Sequence, residues 1–317
     1  MQNFYEYDGD LIKILNVCTP EDFGAVGDGV ADDAGSIQRC INQKGYILFA
    51  PNKTYRLCER IRIKGDTTLD LNGSTIIGEG VPNLILNFDD YATTSGYNGE
   101  SNIIIKNGTI KGGCLSFAHA HDIRLENVSF KDCINDHFLE ICACKNYIID
   151  SCSFVGMIDT QISVYEYINI DPCYFIPFPW NDRNNTSFYD GTVNDGIFIR
   201  NCIFAIGEGD YAFGYNAIGV HVSDGNKHQN IHVENTKMTG FTGCGLRLNN
   251  MNNVVIRNNI IENRSSGADG IRIGDVANST NVIIKGNVIT ASGTAIRKSS
   301  GSTVFQASDN DINPTFA

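Results

Sequence analysis

Carboxylates, a histidine and guanidiniums recur at the polar positions of short alternating segments. Leu139 and Ile141 flank Glu140, Ile168 and Ile170 precede Asn169 and Asp171, and Val220 and Val222 flank His221. Leu246 and Leu248 flank Arg247, and Ile271 and Ile273 flank Arg272. Neighbouring side chains of a strand point to opposite faces, so burying the apolar set leaves the polar set outside. If such strands stack at about 4.8 Å, acids, then the histidine, then the guanidiniums (with Arg297 beyond) form one continuous strip.

That combination suits work on a sugar polymer. Glycoside hydrolysis needs one carboxylic acid to protonate the leaving oxygen and a second carboxylate as base or nucleophile. Glu140, Glu166, Asp171 and Asp190 are the carboxylates available around one patch. Asp171 and Glu140 are the preferred acid–base pair, with His221 orienting or tuning one of them. Like-charge repulsion between two carboxylates raises one member's pKa, as a general acid at neutral pH requires. His137, Asn169 and His228 are placed as substrate hydrogen-bond partners. Arg247 and Arg272 would hold hydroxyls or, bidentately, a uronate carboxylate. Trp180, the chain's single tryptophan, lies in an aromatic run suited to stacking on the apolar face of a sugar ring. Spacing alone leaves retaining and inverting chemistry both open.

The elements that position these residues are legible in a repeat. Copies begin at Asn102 (NIIIKNGTI), Asp122 (DIRLENVSF), Asn146 (NYIIDSCSF), Gly196 (GIFIRNCIF), Asn230 (NIHVENTKM), Asn253 (NVVIRNNII) and Asn281 (NVIIKGNVI). Most copies lie 20 to 28 residues apart. Short strands recurring at that period predict one coil of a β-solenoid per copy, each burying its inner side chains only when stacked on its neighbours. The polar strip belongs to a second strand preceding each copy. These strands are expected at Leu115–Phe117, Phe138–Cys142, Ile168–Asp171, Ala217–Val222, Gly245–Leu248, Gly270–Ile273 and Ala295–Arg297. Residues 172–194 and 205–216 are then long loops from regular coils, placed to wall a groove over the strip. Asn127, Ser151, Asn201, Asn235, Asn258 and Gly286 share one position and read as a structural row of tight turns.

Residues 20–41 form the entry segment. Asp32 or Asp33 is expected to cap a helix whose Ile37 and Ile41 share one face, closing the end of the solenoid. The expectation is one elongated domain over residues 1–317, with coils from about 60 to 312.

Composition narrows the function classes. A net charge of −12 disfavours nucleic acid and anionic membranes as partners. No apolar run reaches the ~20 residues of a membrane span, and the N-terminus lacks the pattern of a secretory signal. The expected location is therefore cytoplasmic or virion-associated. The 11 cysteines are expected as free thiols. Cys152 and Cys202 align with Val128, Thr236, Asn259 and Asn287 and read as small core residues. Cys142-Ala143-Cys144 lacks the spacing of a zinc knuckle; no metal and no cofactor are expected.

The string DFGAVGDGVADD at residues 22–33, followed by an amphipathic helix, resembles the N-terminal signature of pectate-lyase-like right-handed parallel β-helices. That superfamily includes phage tailspike depolymerases, polygalacturonase-like hydrolases, polysaccharide lyases and mannuronan epimerases. The resemblance implies an all-β, single-stranded parallel β-helix with a short capping helix, from bacteria or phage. It also implies a carbohydrate-active groove. The expected assembly is a free-standing enzyme or a homo-oligomer, a dimer or a trimer, the trimer joined along the solenoid sides. The polygalacturonase set is met only by approximations: Asn194-Asp195-Gly196, Gly219-Val220-His221 and Arg247-Leu248-Asn249. Pectin hydrolysis is therefore not supported. The leading expectation is a glycoside hydrolase acting on a poly- or oligosaccharide. A lyase or uronate epimerase using His221 and Arg247 and a non-catalytic glycan-binding or fibre module are the alternatives.

Overall fold

The computed structural model describes residues 2–8, 11–78, 80–81, 83–87, 94–158, 166–172, 190–220 and 226–313, with side chains from Val17 onward. His221, Trp180 and most of the 172–194 loop lie outside the described residues.

The chain is wound into stacked coils. A nine-stranded sheet runs through Ile61–Arg62, Ile85–Leu86, Leu115–Ala118, Leu139–Cys142, Glu166–Asp171, Asn216–Gly219, Cys244–Leu248, Asp269–Ile273 and Ile296–Lys298. Its neighbours pair in parallel, in the order the second strand row requires. We call it the groove sheet. The repeated motif supplies the larger sheet, in which each copy bends between two ladders. Ile123–Glu126 and Ser129–Lys131, for example, continue as Tyr147–Asp150 and Ser153–Val155 in the next coil. Apart from an antiparallel pair at Gln2–Asp8 and Leu11–Cys18, the named strand pairs are parallel.

The bends explain the asparagines. Asn107, Asn127, Ser151, Asn201, Asn235 and Asn258 all have φ between 50° and 61°, and Gly286 has φ 67°. Among side chains, asparagine and aspartate tolerate this left-handed geometry best. The first residue of each copy forms a second such row, since Asn102, Asp122, Asn146, Gly196, Asn230, Asn253 and Asn281 also have positive φ. Their amides tie adjacent coils: Asn102 donates to Asp66 at 3.0 Å and Asn146 to Asp122 at 3.2 Å.

Inside the solenoid, equivalent positions stack on themselves. Phe130, Phe154 and Phe204 are parallel rings with centroids 4.7 and 4.6 Å apart. Ile168, Ile170 and Ile218 continue the apolar rows beneath the groove sheet, each fully buried isoleucine contributing roughly 2 kcal/mol. Cys152 and Cys202 are buried in the row predicted for them, and that row becomes polar toward the C-terminal coils. There Asn259 accepts from the Thr236 N–H at 2.9 Å, Asn287 from the Asn259 N–H at 2.9 Å, and Asn310 from the Asn287 N–H at 3.0 Å. This internal ladder satisfies backbone groups the turns would otherwise leave unpaired in the core.

One expectation about the start of the chain needs correction. Parallel stacking begins by Gly45–Leu48, which pairs with Thr67–Asp70, a coil before residue 60. Asp66 and Asn72 already turn that coil with the left-handed φ of the later corners, 58° and 50°. The helix spans Ala34–Ile41 with Asp33 at its N-cap position, but Asp33's carboxylate binds the Val26 and Gly27 N–H groups at 2.7 and 3.1 Å. Asp32 instead accepts from the Ala34 N–H at 3.2 Å and from the Cys58 N–H at 3.0 Å. Asp28 binds Val30 and Ala31, so the acidic run is engaged by backbone N–H groups. Ile37, Cys40 and Ile41 pack into the solenoid core.

Candidate active site

The register of the groove sheet places Ser116, Glu140 and Asn169 on successive strands. Asn169 is followed by Gly219. Ile218 pairs with Leu246, and Arg247, Arg272 and Arg297 then follow one another. The strip is thus one row of outward positions from acid to guanidinium. Gly219 holds the register position between Asn169 and Arg247; His221, two residues on, lies outside the described residues.

That slot is filled from the side. A Cβ at Gly219 would come within 2.7 Å of Glu166 Cγ, so the Glu166 side chain lies across the glycine. Fully buried, its carboxylate accepts from Asn216 Nδ2 at 3.0 Å and pairs with Arg247 Nη1 at 3.6 Å. Glu166 therefore holds Arg247 from beneath.

The acidic end is tightly connected. Asn169 Nδ2 donates to Glu140 Oε2 at 3.0 Å and to Asp171 Oδ2 at 3.1 Å. The two hydrogens of one planar amide direct their acceptors to points about 5 Å apart. Asn169 and Asp171 are 2% and 3% exposed although both point away from the core, while Glu140 remains half-buried at the surface. Asn169 Oδ1 has no hydrogen-bond partner among the described residues.

His137 completes the acidic end in a way sequence did not foresee. Its Nδ1 faces the Glu166 carbonyl oxygen at 2.5 Å and its Nε2 faces Glu140 Oε1 at 3.3 Å. A carbonyl only accepts, so Nδ1 carries a hydrogen and Nε2 is the nitrogen turned to Glu140. His137 is 5% exposed; it serves Glu140 rather than presenting a donor to substrate. Asp136, given no role from sequence, lies beside this pair. Burial pushes its carboxyl up to about 6; His137 opposes the rise and Glu140 adds to it. The motif Asp136-His137-x-x-Glu140 was visible, but the burial of His137 was not.

Two other expected residues have different places. His228 is fully buried, accepts from the Asn194 N–H at 3.1 Å, and is held down to a pKa of about 3 by desolvation. It is a neutral core histidine with no surface to offer a glycan. It supports Asn194, whose amide donates to the carbonyls of Ile141 and Asp171 at 3.0 and 2.9 Å. Asp190 accepts from the Gly96 N–H at 2.6 Å and the Thr192 N–H at 2.9 Å. Burial works against its ionisation, but these N–H groups outweigh it and hold the carboxyl below its usual range. Asp190 ties two turns together.

The guanidinium end is equally built. Arg247 Nε also faces Asp275 at 3.3 Å. Arg272 Nε and Arg297 Nε share Asp269 Oδ2 at 2.6 and 2.9 Å. The 205–216 loop lies along the edge where the groove strands begin. Phe213 bridges to Met157, and the carbonyls of Phe213 and Ala205 accept from the Tyr167 hydroxyl at 2.8 and 3.3 Å.

Among solved structures, a surface adhesin of Streptococcus pneumoniae, PfbA, superposes with a TM-score of 0.74 at 22% identity, covering 94% of this chain and 79% of that one. The tailspike of E. coli bacteriophage HK620 superposes with a TM-score of 0.64 at 12% identity, covering 98% and 58%. The chain adopts the right-handed parallel β-helix of the pectate-lyase-like fold. In sequence, this β-helix is 26% identical over 291 residues to plasmin and fibronectin-binding protein A of the same bacterium, covering 78% of the chain and 39% of the relative. It is 24% identical over 280 residues to the pre-neck appendage protein of Bacillus phage B103, covering 84% and 28%. The chain thus spans well under half the length of the curated relatives it matches. No family model matches it.

Proposed function

We propose that this β-helix is a glycoside hydrolase that cleaves a poly- or oligosaccharide lying along the groove sheet. The observation that carries the reading is the Asn169 amide joined to both Glu140 and Asp171. It sets two carboxyl groups at a separation close to the roughly 5–5.5 Å of retaining enzymes. Glu140, approached by His137 Nε2, is the ionised partner and attacks or stabilises the anomeric carbon. Asp171, nearly buried beside that charge, is the proton donor to the leaving oxygen, since desolvation and a neighbouring carboxylate both favour the protonated form. The proton passes from Asp171 to the glycosidic oxygen as that bond breaks. Water, deprotonated by Asp171, then releases the sugar from Glu140.

A product screen tests this. Reducing ends and unsaturated-uronate absorbance are measured together for wild type, Asp171→Asn and Glu140→Gln over neutral and uronic-acid glycans. New reducing ends without absorbance, lost in both variants, are expected. Absorbance instead would assign a lyase.

A second reading is a non-catalytic glycan-binding module, favoured by the similarity to a surface adhesin and a phage appendage protein. The similarity to a surface adhesin and a phage appendage protein supports a virion-associated location. Glycan binding without turnover of any screened polymer would favour the module.

A further inference from the structure

Resting on the hydrolase reading of this groove, we propose that it takes uncharged sugar residues and rejects uronates, and that Asp269 and Asp275 set that preference. Three stacked arginines beside a catalytic carboxylate would ordinarily form an acid-binding site, because a guanidinium fork matches a carboxylate bidentately. Here each guanidinium already has a carboxylate of the protein. Arg247 lies between Glu166 at 3.6 Å and Asp275 at 3.3 Å. Arg272 and Arg297 close on Asp269 from two successive coils, at 2.6 and 2.9 Å.

Asp269 is also an acceptor for the Thr294 N–H at 2.7 Å and has no exposed surface. Burial works against its ionisation, but that N–H and the two guanidiniums outweigh it and hold the carboxyl below its usual range. Arg272 further donates to the Gly243 carbonyl at 3.3 Å. The three guanidinium charges are thus matched by Glu166, Asp269 and Asp275. At the other end, Asp136 and Glu140 lie beside His137, and Glu140 and Asp171 share the Asn169 amide. A bound uronate would meet the carboxylate of Glu140 at that end, and would have to displace an internal carboxylate to reach a guanidinium at the other. A hydroxyl pays neither cost, because it accepts from a remaining N–H without needing the charge.

The test uses the full chain and immobilised polygalacturonate and alginate, with binding read by biolayer interferometry at low salt. Wild type is expected to show no binding above a bare surface. Asp275→Asn, which frees one side of Arg247, and Asp269→Asn, which frees Arg272 and Arg297, are each expected to raise the signal at least tenfold and to lose it on adding salt. Binding of wild type to either polyuronate would overturn the proposal. So would folded variants, shown by an unchanged melting curve, that gain nothing. If Asp269→Asn does not fold, the partly exposed Asp275 position decides alone. Because the readout is binding, it stands apart from the hydrolase assignment, which fails instead if no glycan in the product screen yields reducing ends.

Discussion

His137 aims Nε2 at Oε1 of Glu140 from 3.3 Å, while its Nδ1 is anchored on a backbone carbonyl of the next coil. The ring is therefore locked by two coils at once, and its charge state is tied to that of Glu140. An imidazolium there favours the carboxylate form of Glu140. His137→Ala removes that support, so Glu140 should ionise only at higher pH. The acidic limb of the kcat/KM profile is expected to move up by about one pH unit, measured as reducing ends released across pH 4–8. A limb that stays in place would assign His137 a packing role only.

Asn169→Ala should separate the two carboxyl groups without removing either. A fall in kcat of about 10²-fold is expected, the order lost when one positioned acid–base group no longer acts. KM should change less, because the amide faces the carboxylates rather than the glycan. An unchanged kcat would mean that the bridge is not a catalytic feature.

The first product should keep the anomeric configuration of the bond cleaved. The spacing set by one amide matches a nucleophile and an acid rather than a pair separated by a water. Proton NMR of the product, recorded before mutarotation, reads this directly; inversion would remove Glu140 as nucleophile.

Gly219→Ala should destabilise the fold and disturb the strip together. Its Cβ would stand 2.7 Å from Glu166 Cγ and 2.9 Å from Glu166 Oε1. Overpacking of this kind typically costs about 1–3 kcal/mol, readable in urea unfolding. A variant as stable as wild type would show that Glu166 swings aside without loss.

His228 gives a stability prediction with a definite sign. Its folded pKa of about 3 lies below the ordinary 6.5, so the unfolded chain binds its proton first. The associated stability is complete above pH 6.5 and is lost as pH falls toward 3, with a slope approaching 1.4 kcal/mol per pH unit. Denaturant midpoints across that range should show the decline, and His228→Asn should flatten it. A wild-type curve with no decline between these values would contradict the buried neutral ring.

Much of this architecture is written in local pattern. Alternating isoleucines, a period of 20 to 28 residues and a returning asparagine determine the coils, their inward faces and their left-handed corners. The same alternation puts Glu140, Asn169, Arg247 and Arg272 outside, because a strand has only two faces. What each outward side chain does there depends on residues one coil away, more than twenty positions along the chain. Asn169 finds Glu140, Glu166 fills the space over Gly219, and Arg272 and Arg297 meet on Asp269 only through inter-coil register. Depth is likewise decided by stacking: His228 and His137 read alike as polar residues beside strands, yet one is sealed beneath a turn and the other faces a carboxylate. Periodicity specifies a side chain's direction, whereas its partner and its distance from water are properties of the packed coils.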